Sequence, residues 1–107
     1  MNESKFKTGD ILGLKEEYWE AGLYVYGIFP TRLQYSELSY NVYSDFVVET
    51  LGQDKIALIC KVWPETKRTP LVYECIVNGK RGFITNISVP CLDVEECLEK
   101  LDWTILV

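Results

Sequence analysis

A chain of 107 residues with 48% hydrophobic and 25% charged side chains has room for a single core and is too apolar to stay disordered. Its net charge of −5 is the reverse of the basic field that neutralises phosphates. That balance argues against DNA, RNA and acidic membranes as partners and leaves a basic protein surface open.

The opening residues 1–6 hold no apolar stretch of the secretory kind, and no run approaches a membrane span, so the expected location is cytoplasmic. Residues 5–12 read as a turn around Gly9 and Asp10 feeding a first strand that begins at Ile11 and Leu12. Residues 13–22 fit either a helical turn closed by Gly22 or a long loop, with Glu16, Glu17 and Glu20 as a solvated acidic cluster. Residues 23–29 alternate, with Leu23, Val25 and Phe29 on one side and Tyr24, Tyr26 and Ile28 on the other, until Pro30 stops the strand.

After a loop or short helix over 31–39, residues 41–51 alternate again. Val42, Phe46 and Val48 form one face, and Tyr43, Asp45, Val47 and Glu49 the other. Gly52, Gln53 and Asp54 read as a hairpin connection into 55–63, a run apolar on both faces as a central strand would be. The strongest local signal is Asn78-Gly79 between 71–77 and 80–87, the preferred dipeptide of a two-residue type I′ hairpin. Asp93 with Glu96 three residues on resembles a capping box, and Val94, Cys97, Leu98 and Leu101 line one face of a helix over about 93–101. Residues 103–107 can return as a closing strand. With no repeat, linker or low-complexity tract, residues 1–107 are expected to form one domain. It should be mainly β: a small twisted antiparallel barrel of five to six strands with that one late helix.

Little in the chain carries reaction chemistry. Cys60, Cys75, Cys91 and Cys97 are separated by fourteen, fifteen and five residues, so no close pair of the zinc-binding kind exists. Gly79-Lys80-Arg81-Gly82 lacks the helix that would follow a phosphate cradle and reads as hairpin turn plus strand. The carboxylates of 16–20 and 95–99 are accounted for by solubility rather than by general acid–base work. No enzyme activity, cofactor or metal site is therefore expected.

The aromatics suggest a surface instead. If the strands at 23–29 and 41–51 pair, Tyr24, Tyr26, Tyr43, Asp45 and Glu49 share an outward face, an aromatic centre with an acidic rim suited to a basic protein partner. The alternatives are tyrosines that merely cover the sheet, with the acidic 13–22 loop as the next binding candidate, or tyrosines lining a small-ligand pocket.

The segments 6–12 (Phe6-Lys7-Thr8-Gly9-Asp10-Ile11-Leu12) and 22–28 (Gly22-Leu23-Tyr24-Val25-Tyr26-Gly27-Ile28) resemble the opening of SH3-like small barrels, including the small all-β immunity proteins that bacteria use against rivals' toxins. The resemblance implies only binding rather than catalysis. Small size, acidic charge and the lack of a catalytic constellation then fit a small acidic inhibitor, of the immunity or phage anti-defence type, that blocks a protein partner stoichiometrically, with a small-ligand-binding or regulatory barrel as the alternative. The peptide-groove signature of eukaryotic SH3 domains is missing, which sets proline-rich ligands aside.

Cys60 and Cys75 sit in apolar strand patterns, where cysteine behaves as a small buried hydrophobe. All four cysteines should accordingly titrate as free thiols in denatured protein prepared without reductant; two or more blocked thiols would contradict the reading.

Overall fold

The computed structural model describes residues 4–31, 46–86 and 93–102. Within them the chain forms one curled antiparallel sheet and one short helix. The strands are β1 (Ile11–Leu14), β2 (Leu23–Tyr26), β3 (Val47–Leu51), β4 (Ala57–Trp63), β5 (Val72–Val77), β6 (Lys80–Ile84) and β7 (Leu98–Lys100); helix α1 is Val94–Cys97. The order across the sheet is β3-β2-β6-β5-β4-β1-β7. Seven strands thus form a half-barrel where five to six were expected, and the closing strand expected at 103–107 lies outside the described residues.

The concave side holds the core. Leu23, Val25, Leu51, Leu12, Leu14, Ala57, Ile59, Tyr73, Cys75, Val77, Ile84 and Leu98 come from all seven strands and are almost wholly buried there, joined by Val94 and Cys97 of α1 and by Phe6. Period-two patterning is what permits this, since alternate residues of each strand point to the same face.

Two connections differ from the sequence reading. Residues 52–54 do not join a hairpin: β3 pairs with β2, and β4 lies between β5 and β1. The register Leu23↔Leu51 seats a fully buried leucine of β3 beside one of β2, so the apolar match, not chain proximity, selects the partner. The segment after Leu51 then crosses to β4 rather than turning back. Curling of the sheet makes so short a crossing feasible, and Glu49 of β3 reaches both Lys55 in that segment and Asn78 at the β5–β6 turn.

The expected helix over 93–101 is only Val94–Cys97. Its cap forms as anticipated, the Asp93 carboxylate accepting from the Glu95 N–H at 3.0 Å. At Leu98 the backbone becomes extended (φ −103°, ψ 151°), and residues 98–100 pair with Leu14, Gly13 and Leu12. A nine-residue helix is marginal by itself, whereas a ladder on β1 satisfies the same backbone groups and still buries Leu98.

The ambiguous 13–22 stretch contains a 3-10 turn, Glu16–Tyr18, closed where the Gly22 N–H bonds the Tyr18 carbonyl (2.9 Å). The β5–β6 hairpin has the expected type I′ backbone, with Asn78 at φ 52° and Gly79 at φ 77°. A Cβ at Gly79 meets no neighbouring atom, so backbone strain alone opposes substitution. Gly79→Val should cost about 1–3 kcal/mol in urea unfolding; a variant as stable as the parent would show that this turn tolerates a side chain.

Candidate binding surface

Of the five residues assigned to a common outward face, Tyr24, Tyr26 and Glu49 are among the described residues, and Glu49 does not share a side with the two tyrosines. Tyr24 and Tyr26 do lie opposite Leu23 and Val25, their rings in edge contact at 6.4 Å. Tyr26, however, is only 2% exposed, packed against Tyr24 and Val47, and offers no outward contact area; Tyr24 is half-buried. Tyr43 and Asp45 lie outside the described residues.

Glu49 turns to the other side. Val25 pairs with Glu49 but Tyr26 pairs with Val47, so Val48 is an extra residue in β3. This bulge resets the alternation: Val47 keeps company with Tyr26, while Glu49 joins the side of Val25. There the Glu49 carboxylate is held by the Lys55 ammonium, with Lys80 at 3.9 Å, Asn78 Nδ2 at 3.5 Å and the Thr50 N–H at 3.2 Å. Its side chain is about one-tenth exposed. The Lys55 hydrogen bond, followed by that from Thr50, lowers its pKa to about 2. A carboxylate neutralised by its own chain does not act as a rim charge for a partner.

Phe29 also departs from the expected inward face. β2 ends at Tyr26, the strand alternation lapses there, and Phe29 packs edge-on against Trp63 (5.2 Å) and Phe83 (5.5 Å). Phe83 pairs with both Tyr26 and Glu74, which places this cluster on the convex side. Lys61 Nζ lies 3.8 Å from the Trp63 ring centroid, and the Trp63 indole N–H donates to Glu74 (3.1 Å), which also pairs with Arg81 at 3.1 Å. The sequence signal for this cluster was the alternation of Phe83 with Gly82 and Ile84, but its partners come from three separate segments.

The acidic turn is the remaining surface of distinct chemistry. Glu16, Glu17 and Glu20 are exposed and have no ion-pair partner among the described residues. With Trp19 and Gln53 they line an open depression of about 430 Å³. The turn is firmly held. The Trp19 indole N–H donates to the Leu14 carbonyl (2.7 Å), the Lys15 N–H to the Cys97 carbonyl (2.9 Å), and Tyr18 and Trp19 pack on the core.

Other reactive side chains are engaged in structure. Burial pushes the Cys75 thiol up to about 12, so it is not a thiolate near neutral pH. Cys60, Cys75 and Cys97 are free thiols. The Tyr73 hydroxyl donates to the Glu95 carboxylate and accepts from the Phe6 N–H (3.3 Å), while the Lys5 N–H donates to Glu95 at 2.6 Å. This network ties the segment before β1 to α1. Among the described residues no group of three or more His, Cys, Asp or Glu side chains could hold a metal ion, and no helix is long and apolar enough to cross a membrane.

Comparison with protein-family models, with curated proteins and with solved structures returns no match to this chain.

The lowered pKa of Glu49 has a definite consequence for stability. A carboxyl at about 2 in the folded chain and at its ordinary 4.5 when unfolded stabilises the fold above 4.5, and that contribution disappears as pH falls from 4.5 towards 2. The stability gap between parent and Glu49→Gln should therefore be widest at neutral pH and narrow through this window. A gap that stays constant from pH 7 to pH 2 would refute the assignment.

Proposed function

We propose that this chain is a non-catalytic protein-binding module: a small acidic inhibitor, of the immunity or phage anti-defence kind, that blocks a basic protein surface one to one. The observation that carries the reading is the turn at 16–20, three exposed carboxylates without ion-pair partners among the described residues, grouped around a tryptophan fixed by a backbone hydrogen bond. Unneutralised charge of one sign accelerates encounter with a surface of the opposite sign. A turn already held by hydrogen bonds and core packing loses little conformational entropy on docking. The net charge of −5 acts in the same direction.

The charges favour this turn over the tyrosine face as the binding surface. Glu49 is neutralised within the chain and Tyr26 is buried, so Tyr26 supports Tyr24 from beneath rather than meeting a partner. The likeness of the opening segment to SH3-like immunity barrels supports a binding role of this kind.

Affinity capture from the native host, followed by association kinetics, tests the proposal. The parent should retain one protein in a one-to-one ratio, with an association rate that falls as salt rises. The variant E16K/E17K/E20K, checked for the parent's far-ultraviolet spectrum, should lose at least about tenfold in association rate and most of the salt dependence. Failure to capture a stoichiometric partner, or a variant that binds with parental kinetics, would overturn it.

A further inference from the structure

Of the four asparagines in the chain, Asn2 precedes Glu3, Asn41 precedes Val42 and Asn86 precedes Ile87, whereas Asn78 precedes a glycine. The side-chain amide of an asparagine is open to attack by the backbone nitrogen of the next residue, and a side chain on that residue shields the nitrogen. At Gly79 nothing does so. Residues 78 and 79 are both exposed, and beyond the adjoining residues no atom lies within 4 Å of where a Cβ would stand on Gly79. The hairpin ladder pairs Val77 with Lys80, and the Gly79 N–H makes no hydrogen bond among the described residues. Its nitrogen is free of both packing and ladder.

The turn also has access to the geometry that attack requires. A type I′ turn passes to type II′ by rotation of the one peptide between its two central residues, and both types close a two-residue hairpin. Asn78, at φ 52°, keeps a positive φ in either type. Its ψ swings to about −120°, which brings the next nitrogen alongside Cβ and within ring-closing reach of Cγ. Gly79 leaves φ 77° for a negative value, a change that costs glycine little. Among the described residues the rotation disturbs only the contact of Asn78 Nδ2 with Glu49, which at 3.5 Å is at the long limit of a hydrogen bond.

We propose that Asn78-Gly79 is a site of spontaneous deamidation whose product frees Glu49 and loosens the edge strand β3. The Gly79 nitrogen bonds Asn78 Cγ and gives up its proton while the Cγ–Nδ2 bond breaks, so that Nδ2 leaves as ammonia and a succinimide remains. Water then opens the ring. Cleavage of the new N–Cγ bond leaves aspartate at 78; cleavage of the original peptide bond leaves isoaspartate, whose main chain runs through Cβ and Cγ. No electrons are exchanged, and water is the only co-reactant. Either product sets a second negative charge near the Glu49 carboxylate, and isoaspartate also lengthens the turn by one main-chain carbon. β3 ends the strand order and pairs with β2 alone among the described residues. Glu49 links it through Lys55, Lys80 and Asn78 to the crossing segment and to the β5–β6 turn. A like charge at residue 78 weakens that link. The acidic turn at 16–20 takes no part in this chemistry, so the inference does not depend on the inhibitor reading.

Peptide mapping by mass spectrometry, on protein incubated at mildly alkaline pH and physiological temperature, provides the test. Residue 78 should gain the mass of an amide-to-acid exchange, as aspartate and isoaspartate together, while Asn2, Asn41 and Asn86 stay amides over the same period. Gly79→Ala, confirmed to keep the parent's far-ultraviolet spectrum, shields the nitrogen and should slow the conversion severalfold. Asn78→Asp stands for the product, and it keeps the fold because Asp-Gly also suits a type I′ turn. In that variant the Glu49 midpoint, read by NMR, should rise from about 2 towards its ordinary 4.5. The amides of Val47–Leu51 should exchange at least about tenfold faster than in the parent, with those of β4 and β5 unchanged. A residue 78 that stays an amide throughout, or a conversion that Gly79→Ala leaves at the parent's rate, would overturn the site. An Asn78→Asp protein with the parent's Glu49 midpoint and β3 exchange rates would overturn the consequence for β3.

Discussion

A sheet that has to bury its core against itself is the constraint from which the other features of this chain follow. α1 has only four residues and cannot form a covering layer, so apolar side chains of every strand must meet one another on the concave side. Curling does this. It brings Leu23 and Leu51 at one end of the strand order into the same cluster as Leu12 and Leu98 at the other. At the tightest approach, a Cβ on residue 82 would stand 3.0 Å from the Tyr26 carbonyl oxygen, so glycine at this position is what lets β2 close on β6.

The distribution of charge follows from the same curvature. A bulge at Val48 accommodates the strand to the bend, and its side effect is to swing Glu49 away from the tyrosines and towards Lys55, Lys80 and Asn78. That carboxylate then ties β3 to the hairpin beyond β2 and to the crossing segment. The acidic turn has the opposite fate: it projects from the sheet with its carboxylates uncompensated while its backbone and Trp19 are secured beneath. Two acidic features of similar composition thus divide into one that holds the fold and one that faces outward.

The convex side divides as well. One half is an aromatic cluster of Phe29, Trp63 and Phe83, covered by Lys61 and flanked by the Glu74–Arg81 pair. The other half is aliphatic and open. β4 reads in sequence as apolar on both faces, the pattern of a strand covered on each side, yet Leu58 remains over one-third exposed. Burial on the concave face explains Ala57 and Ile59, while Leu58 points to the convex side.

The local features were determined by the sequence alone, because each is set by a few neighbouring residues. The type I′ turn follows from the tolerance of Asn78 and Gly79 for positive φ, the cap of α1 from the Asp93 side chain, and the mainly β class from alternation in the strands around it. The wrong element over 98–100 and the mistaken hairpin at 52–54 share one cause. Apolar residues that must be buried do not specify which backbone they will pair with, and tertiary competition for β1 and β2 settled both. The expected common face of Glu49 with Tyr24 and Tyr26 parts at a single extra residue. Strict alternation puts Glu49 beside Tyr24 and Tyr26, but the bulge at Val48 inverts the parity of the strand beyond it, and a bulge responds to curvature that exists only once distant strands have closed the sheet.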